Sequence, residues 1–414
     1  MKTFGATVIV LLTLALLLAP VAASDWQGAK KDATHTSYAD EALAPPLQLA
    51  WSKNVGGSIA ASPVISDGVL YFTNDTGSTL LAVSLANGSV LFKSGLAGSL
   101  ESTPTVTTDA VILGSYNGNV YSLRKSDGGI LWKTQLQGGM FSSPLVYNGR
   151  VYIGTDTGTF YALDQTTGTI AWTRPDNRTQ GTPAGDDNKV FIGLLDGNVH
   201  ALDPVTGRTI WTFDTNDSVH SSPMIFDGKV YIASRDGKLY ALDEKTGLQV
   251  WTTDLGYKTD ATPSLDPASG TVFIGTFGGY MWAVNASTGE ARWVSQFYGP
   301  IYSTAAVSGN TVYCSTQDGK LFALDTSDGT EQWTYDMGGE AWASPAIAGG
   351  RLVTGTNSGK LLVFSPATGP TITPSPAPTT SATSATSATA TPFPGIALVV
   401  LALVSGAVLC LRRR

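Results

Sequence analysis

Only two cysteines stand in the chain, Cys314 and Cys410, and the second lies in an apolar C-terminal run, so no disulfide can staple a folded domain. Stability must come from packing. Histidine is as scarce: His35, His200 and His220 are the three present, none spaced from another as metal ligands are, and no Ser-His-Asp elbow motif occurs. Basic charge is short as well. Setting aside Lys2 and the three terminal arginines leaves 21 of the 25 Lys and Arg against 32 Asp and Glu, a net charge of −11, which argues against nucleic acid as a partner.

What the chain has in abundance is one phrase, repeated eight times. A Ser/Thr-Pro mark falls at Pro63, Pro104, Pro144, Pro183, Pro223, Pro263 and Pro345, with Ala305 in the seventh copy. An aromatic mark falls at Trp51, Phe92, Trp132, Trp172, Trp211, Trp251, Trp293 and Trp333, at intervals of 39 to 42. The third copy, residues 141–172, has apolar and β-branched runs too short for helices, separated by Asn148-Gly149, Thr157-Gly158 and Thr167-Gly168. Such pairs accept positive φ and reverse the chain tightly, so each copy predicts four antiparallel strands joined as hairpins. One such sheet cannot bury both faces, and four strands every 40 residues is the signature of a propeller blade stacked on its neighbours. The fold expected is all-β: an eight-bladed β-propeller over residues 47–369. Trp51 precedes the first Ser-Pro and no Trp follows the last copy, so residues 47–53 are expected to pair with 359–364 and complete the last blade, leaving no open sheet edge.

The two ends differ from the repeats. Residues 5–19 are apolar behind Lys2 and lead to small residues, the pattern of a signal peptide over 1–23, with a lead-in segment over 24–46. Residues 370–392 are rich in Pro, Ser, Thr and Ala and read as a stalk. Residues 395–411 are apolar before three arginines, giving a membrane anchor or sorting tail over 393–414. Asn-x-Ser/Thr sequons at Asn74, Asn87, Asn177, Asn216 and Asn285 are candidate glycosylation positions.

The form AxDxxxGxxxW at 162–172, 201–211, 241–251 and 323–333 resembles the tryptophan-docking repeat of the pyrroloquinoline-quinone (PQQ) propeller superfamily, over roughly residues 26–369. Residues 25–26 and 32–38 resemble the lead-in of many members. The resemblance implies that Trp132, Trp172, Trp211, Trp251, Trp293 and Trp333 dock blade on blade. It does not imply quinone chemistry, because the superfamily's dehydrogenases carry a vicinal Cys pair and a calcium site, and this chain has neither adjacent cysteines nor calcium-loop spacing. No cofactor is therefore expected, PQQ with calcium being the alternative. The superfamily also includes non-enzymatic propellers such as the bacterial outer-membrane assembly scaffold. The tail Pro-Phe-Pro-Gly at 392–395, its apolar run and three Arg resemble archaeal surface-sorting signals, whose heads carry Pro-Gly-Phe or Pro-Glu-Phe.

Aligning the copies on the Pro separates constant from variable positions. One residue before it is always Ser or Thr. Three residues before it stand Ala60, Glu101, Phe141, Gln180, His220, Asp260, Tyr302 and Trp342, with no type repeated. A second variable column, two before the next turn Gly, reads Asp75, Tyr116, Asp156, Leu195, Arg235, Phe277, Gln317 and Asn357. Both are expected to face one mouth of the central channel. An unconstrained exposed column would be rich in Lys, Ser, Thr and Glu, whereas these hold five aromatics among a few charges, the composition of a binding surface. His220 with Glu101 or Asp260 is the one acid–base pairing available. His35 reads as structural, His200 as a packed edge residue, and Cys314 as a buried inert thiol.

The chain therefore reads as a secreted, cell-surface-anchored propeller that binds a protein or glycan of the cell envelope through one channel mouth, with the membrane reached by its tail. Two alternatives stay open: a PQQ-dependent oxidoreductase or carbohydrate-active enzyme on the same frame, and a purely structural envelope protein.

Overall fold

In the computed structural model, residues 25–367 are described, apart from Asp187; the stretches read as signal peptide, stalk and tail, with Cys410, lie outside them. Eight antiparallel sheets follow in chain order, seven of them spanning residues 64–95, 105–135, 145–175, 184–214, 224–254, 264–296 and 306–336. The eighth takes three strands from 346–366 and a fourth from the N-terminal strand Leu47–Asn54. Trp51 pairs with Val363 and Asn54 with Lys360, so the ring closes as the ladders predict. One departure is a fifth strand on the seventh blade, where Tyr38–Ala39 of the lead-in runs parallel to Ala306–Ser308.

Each blade's innermost strand is only two or three residues long because a tight turn ends it at once. Asn148 and Gly149, at φ 49° and 73°, reverse the third blade in the left-handed region. Side chains alternate between two cores along the middle strands. In the fifth blade Val230 and Ile232 pack towards the fourth blade's Phe191 and Trp211, whereas Tyr231 and Ala233 pack towards the sixth blade's Val272 and Ile274. Every blade thus contributes to two interfaces, and the core is a ring of interfaces.

The repeated Trp and Gly meet across these interfaces. The Trp211 indole Nε1 donates to the Glu244 carbonyl at 3.0 Å, and a Cβ on Gly247 would lie 2.6 Å from its ring. Trp132, Trp172, Trp251 and Trp293 do the same on Gly168, Gly207, Gly289 and Gly329. Trp51 donates to the Leu85 carbonyl and lies over Gly88, so the closing strand supplies the eighth blade's docking Trp to the first. Trp333 packs edge-on against Phe364, ring centroids 5.6 Å apart; residues 368–369, which follow Trp333 at the spacing of the other Thr-Gly pairs, lie outside the described residues.

The Asp of each repeat organises the turn that receives the Trp. Asp164, Asp203 and Asp243 each accept the backbone N–H and hydroxyl of the Thr three residues on. Those bonds, the backbone one foremost at Asp164 and Asp203 and the hydroxyl one at Asp243, hold the carboxylates below their ordinary range. Because the folded value is the lower one, the stabilisation is present above the unfolded value of about 3.9 and is lost as pH falls through the folded value. The melting temperature should drop on acidification below about pH 4, with a shallower drop when all three are changed to Asn. Asn285 already fills this role in the sixth blade, accepting from the Ser287 and Thr288 N–H groups. An unchanged acid slope in that triple variant would assign the acid sensitivity elsewhere.

Two expectations are corrected. Asn74 is not placed to carry a sugar: it is 8% exposed, and its amide donates to the Val55 carbonyl while accepting from the Gly77 N–H. Asn87, Asn177 and Asn216 are exposed. His200 lies in the third strand of its sheet and not at an edge; its Nδ1 is 3.3 Å from Arg174 Nη2 and 3.5 Å from Asp176, which Arg174 pairs at 2.9 Å. His35 and Cys314 are buried; His35 bonds the Pro223 carbonyl, and burial raises the Cys314 thiol to about 12.

Candidate functional site

The first strand of each blade enters beside the propeller axis, and alternation along it sorts its residues. Ile59, Leu100, Met140, Val219 and Ile301, four before the Pro position, are fully buried between blades. The next residue then turns to the axis. All eight residues of the first variable column, from Ala60 to Trp342, line one central well with a cavity of about 180 Å³.

The second column reaches the same side of the ring by a bond that recurs in every blade. Its backbone N–H donates to the carbonyl two residues before the first-column position: Tyr116 to Ser99, Arg235 to Ser218, Phe277 to Lys258. Asp75 obeys the rule through Ser58, which places it in register despite the extra residue in its blade. The two columns are not equivalent, however. Several members of the second stand behind the first and brace the next blade's residue: Tyr116 lies against Phe141 with centroids 5.0 Å apart, and Phe277 against Tyr302 at 4.6 Å. Asp75 accepts from Ser99 and from the Leu100 N–H, beside Glu101 of the next blade, whereas Asp156 accepts from the Gly139 N–H, beside Phe141 of its own blade.

Between the fourth and seventh blades these contacts join into an arc. His220 Nδ1 lies 2.7 Å from Gln180 Oε1 and 3.9 Å from Asp260. Arg235 holds both Asp260 oxygens, at 2.7 and 2.6 Å, and lies over the Phe277 ring at 5.8 Å. Burial keeps His220 below its ordinary pKa, and the Asp260 bonds raise Arg235. Burial, then the nearby Asp75, pushes the Glu101 carboxyl up. Asp260 is therefore fully engaged by Arg235, and Glu101 belongs to a separate cluster with Ser99 and Asp75. Trp342, 50% exposed, offers a free ring face at the rim.

Two features of the well were not read from the sequence. The invariant Ser or Thr before each Pro position forms a ring of hydroxyls: Ser62 N–H donates to Thr103, Thr103 to Ser143, Thr182 to Ser222, Ser222 to Thr262, Thr304 to Ser344, and Ser344 back to Ser62, all at 2.9 to 3.1 Å. The constancy of that position was visible, but its cause is a bond between copies, which one copy cannot display. The second feature is the lead-in. Its carbonyls accept the N–H groups of Ile65, Val106, Gly185, Ile225, Leu265 and Val307, each two residues past the Pro position, so it crosses the inner strands of six blades at the end opposite the mouth. Lys30 of this segment lines the well. A larger cavity of about 400 Å³ lies between the lead-in and the inner strands of the second to fourth blades.

The donors around the well do not suit a calcium-held quinone. No three His, Cys, Asp or Glu side chains converge among the described residues, and Asp260 is already taken by Arg235.

The sequence matches the family described as outer membrane protein assembly factor BamB over residues 76–185, 174–269 and 252–414. No curated protein matches the chain. Among solved structures it is similar to BamB from Moraxella catarrhalis, at 21% identity over 78% of this chain and 98% of that one, with a TM-score of 0.69. It is similar also to the computationally designed Ika8 protein, at 18% identity over 77% and 99% of the chains, TM-score 0.70. Quinohemoprotein alcohol dehydrogenase from Comamonas testosteroni shares 16% identity over 84% and 82%, TM-score 0.73. At these identities the likenesses establish the fold.

Proposed function

Because the chain belongs to the family of the outer membrane protein assembly factor BamB, we propose that it is a binding or scaffold module of the cell envelope, secreted and held at the surface by its C-terminal tail. It engages an envelope protein or glycan through the mouth of the central well. One observation carries this reading: the mouth sets Phe141, Tyr302 and Trp342 around a single opening, with two of the three rings braced from behind by a second aromatic. Rings held in place offer stacking area without a large ordering cost, and Gln180 and His220 between them, beside the Arg235–Asp260 pair, supply directional bonds. Surface residues with no task have no need of such bracing.

Substituting Phe141, Tyr302 and Trp342 together by Ala should remove binding of fractionated envelope glycans and proteins to the immobilised chain. A loss of at least tenfold in affinity is expected, since hot-spot aromatics typically contribute about 2 kcal/mol or more each. The melting temperature should change little, because all three face the opening and none is part of an interblade core. Equal binding by parent and variant would rule the mouth out as the recognition surface.

A further inference from the structure

The floor of the well carries an unpaired cation. Lys30 and Lys31 are neighbours in the lead-in, yet their side chains do different things. Lys31 pairs with Asp40 at 2.8 Å and lies over the Tyr38 ring at 5.9 Å. Lys30 instead lines the well, half-buried, and among the described residues its ammonium has neither an ion pair nor a hydrogen bond. An ammonium partly withdrawn from water without a counter-charge is costly, and proteins seldom keep one without a partner to receive it. Burial lowers it only to about 8, so at neutral pH it remains mostly protonated.

The hydroxyl ring above it has a matching surplus of donors. Six of the eight Ser and Thr oxygens accept a backbone N–H from the blade before, and none of the eight donates to any protein acceptor among the described residues. Each hydroxyl therefore has a proton to place, and the space in front of it is the well. Eight hydroxyl protons and one ammonium converge on a cavity of about 180 Å³. What fits such a place is a compact acceptor with a single negative charge. A doubly charged group would be under-neutralised by one ammonium and would approach past Glu101 and Asp260.

Above the ring come the rim aromatics, with Gln180, His220 and Asp260 between them. An acceptor entering the well therefore brings with it a body that stacks and hydrogen-bonds at the rim. We propose that the well receives the carboxylate of an acidic sugar, with Lys30 and the hydroxyl ring taking the carboxylate and Phe141, Tyr302 and Trp342 taking the sugar ring. This rests on the mouth being the recognition surface and names the class of ligand it takes.

Titration of the purified full chain with glucuronate, and with glucose as the uncharged counterpart, tests the assignment. Glucuronate should bind and glucose should bind at least tenfold more weakly, because a charge-assisted bond contributes about one to two factors of ten. Lys30→Gln should bring glucuronate down to the level of glucose, and Lys30→Arg, which keeps the charge, should retain binding. Melting curves of both variants separate loss of the cation from loss of the fold, and only variants melting with the parent are scored. Failure of glucuronate to bind, equal binding of glucose, or binding unchanged in Lys30→Gln would each overturn the proposal. Inorganic phosphate competing better than glucuronate would overturn the sugar assignment. If Trp342→Ala abolishes envelope binding while Lys30→Gln does not, the mouth stands as the recognition surface and the carboxylate site falls.

Discussion

Trp211→Ala should lower stability by about 3–5 kcal/mol, among the largest effects expected of a single side-chain truncation in the ring. The indole is 8% exposed, fills the interface between the fourth and fifth blades, contacts Phe191 with centroids 5.7 Å apart, and satisfies the Glu244 carbonyl. Its loss leaves a cavity and removes the indole donor from that carbonyl. The partner position gives an independent check. Gly247 has φ +72°, and a Cβ there would lie 2.6 Å from the indole, so Gly247→Ala is costly for both its backbone and its contact. With Trp211 already truncated the contact part disappears. The cost of Gly247→Ala should then fall well below its cost in the parent, a coupling readable from denaturant midpoints of the four proteins. Additive effects would mean that the ring does not rest on that turn.

The second large effect concerns closure. Lys53→Pro should destabilise the whole ring by about 3 kcal/mol or more, beyond what its side chain contributes through its bond to the Gly88 carbonyl. Val55 N–H donates to the Gly359 carbonyl, and antiparallel pairing alternates, so the Lys53 N–H also faces the last blade, where Lys53 stands opposite Leu361. Proline removes that donor and crowds its neighbour. The strand also carries Trp51, the docking indole between the eighth and first blades, so loosening it opens two contacts at once. Hydrogen exchange should show protection falling first in residues 47–54 and 346–366. Loss of protection spread evenly over all blades would contradict a ring closed by this strand.

Much of this architecture was legible in the residues because it repeats. A blade packs on its neighbour as that neighbour packs on the next, so Trp, Gly and Asp recur at one period and their partners follow from it. The closing strand was legible for the same reason, as a Trp with no repeat in front of it. The mouth columns were legible by the opposite property, variation among constant neighbours. The bracing of Phe141 by Tyr116 was not legible, nor was the locking of Asp260 by Arg235. Those contacts join positions 25 residues apart on different blades, and their spacing is indistinguishable from that of many pairs that never meet. His200 shows the same limit: a substituted Tyr position hinted at an edge, whereas the fold set it beside Arg174 and Asp176 in the middle of a sheet.

By itself the sequence determined the number of blades, the strands in each, the docking residues and the place where the ring closes, because all of these are local patterns copied eight times. Only the tertiary structure decided what the centre of the ring is. Closing eight blades around one axis brings eight hydroxyls, about 40 residues apart along the chain, around one well and lets six of them accept a backbone N–H from the blade before. It also lays a segment from before the first repeat across six of those blades, with Lys30 facing the space they enclose. Neither follows from any one copy, since a ring exists only once the last blade meets the first.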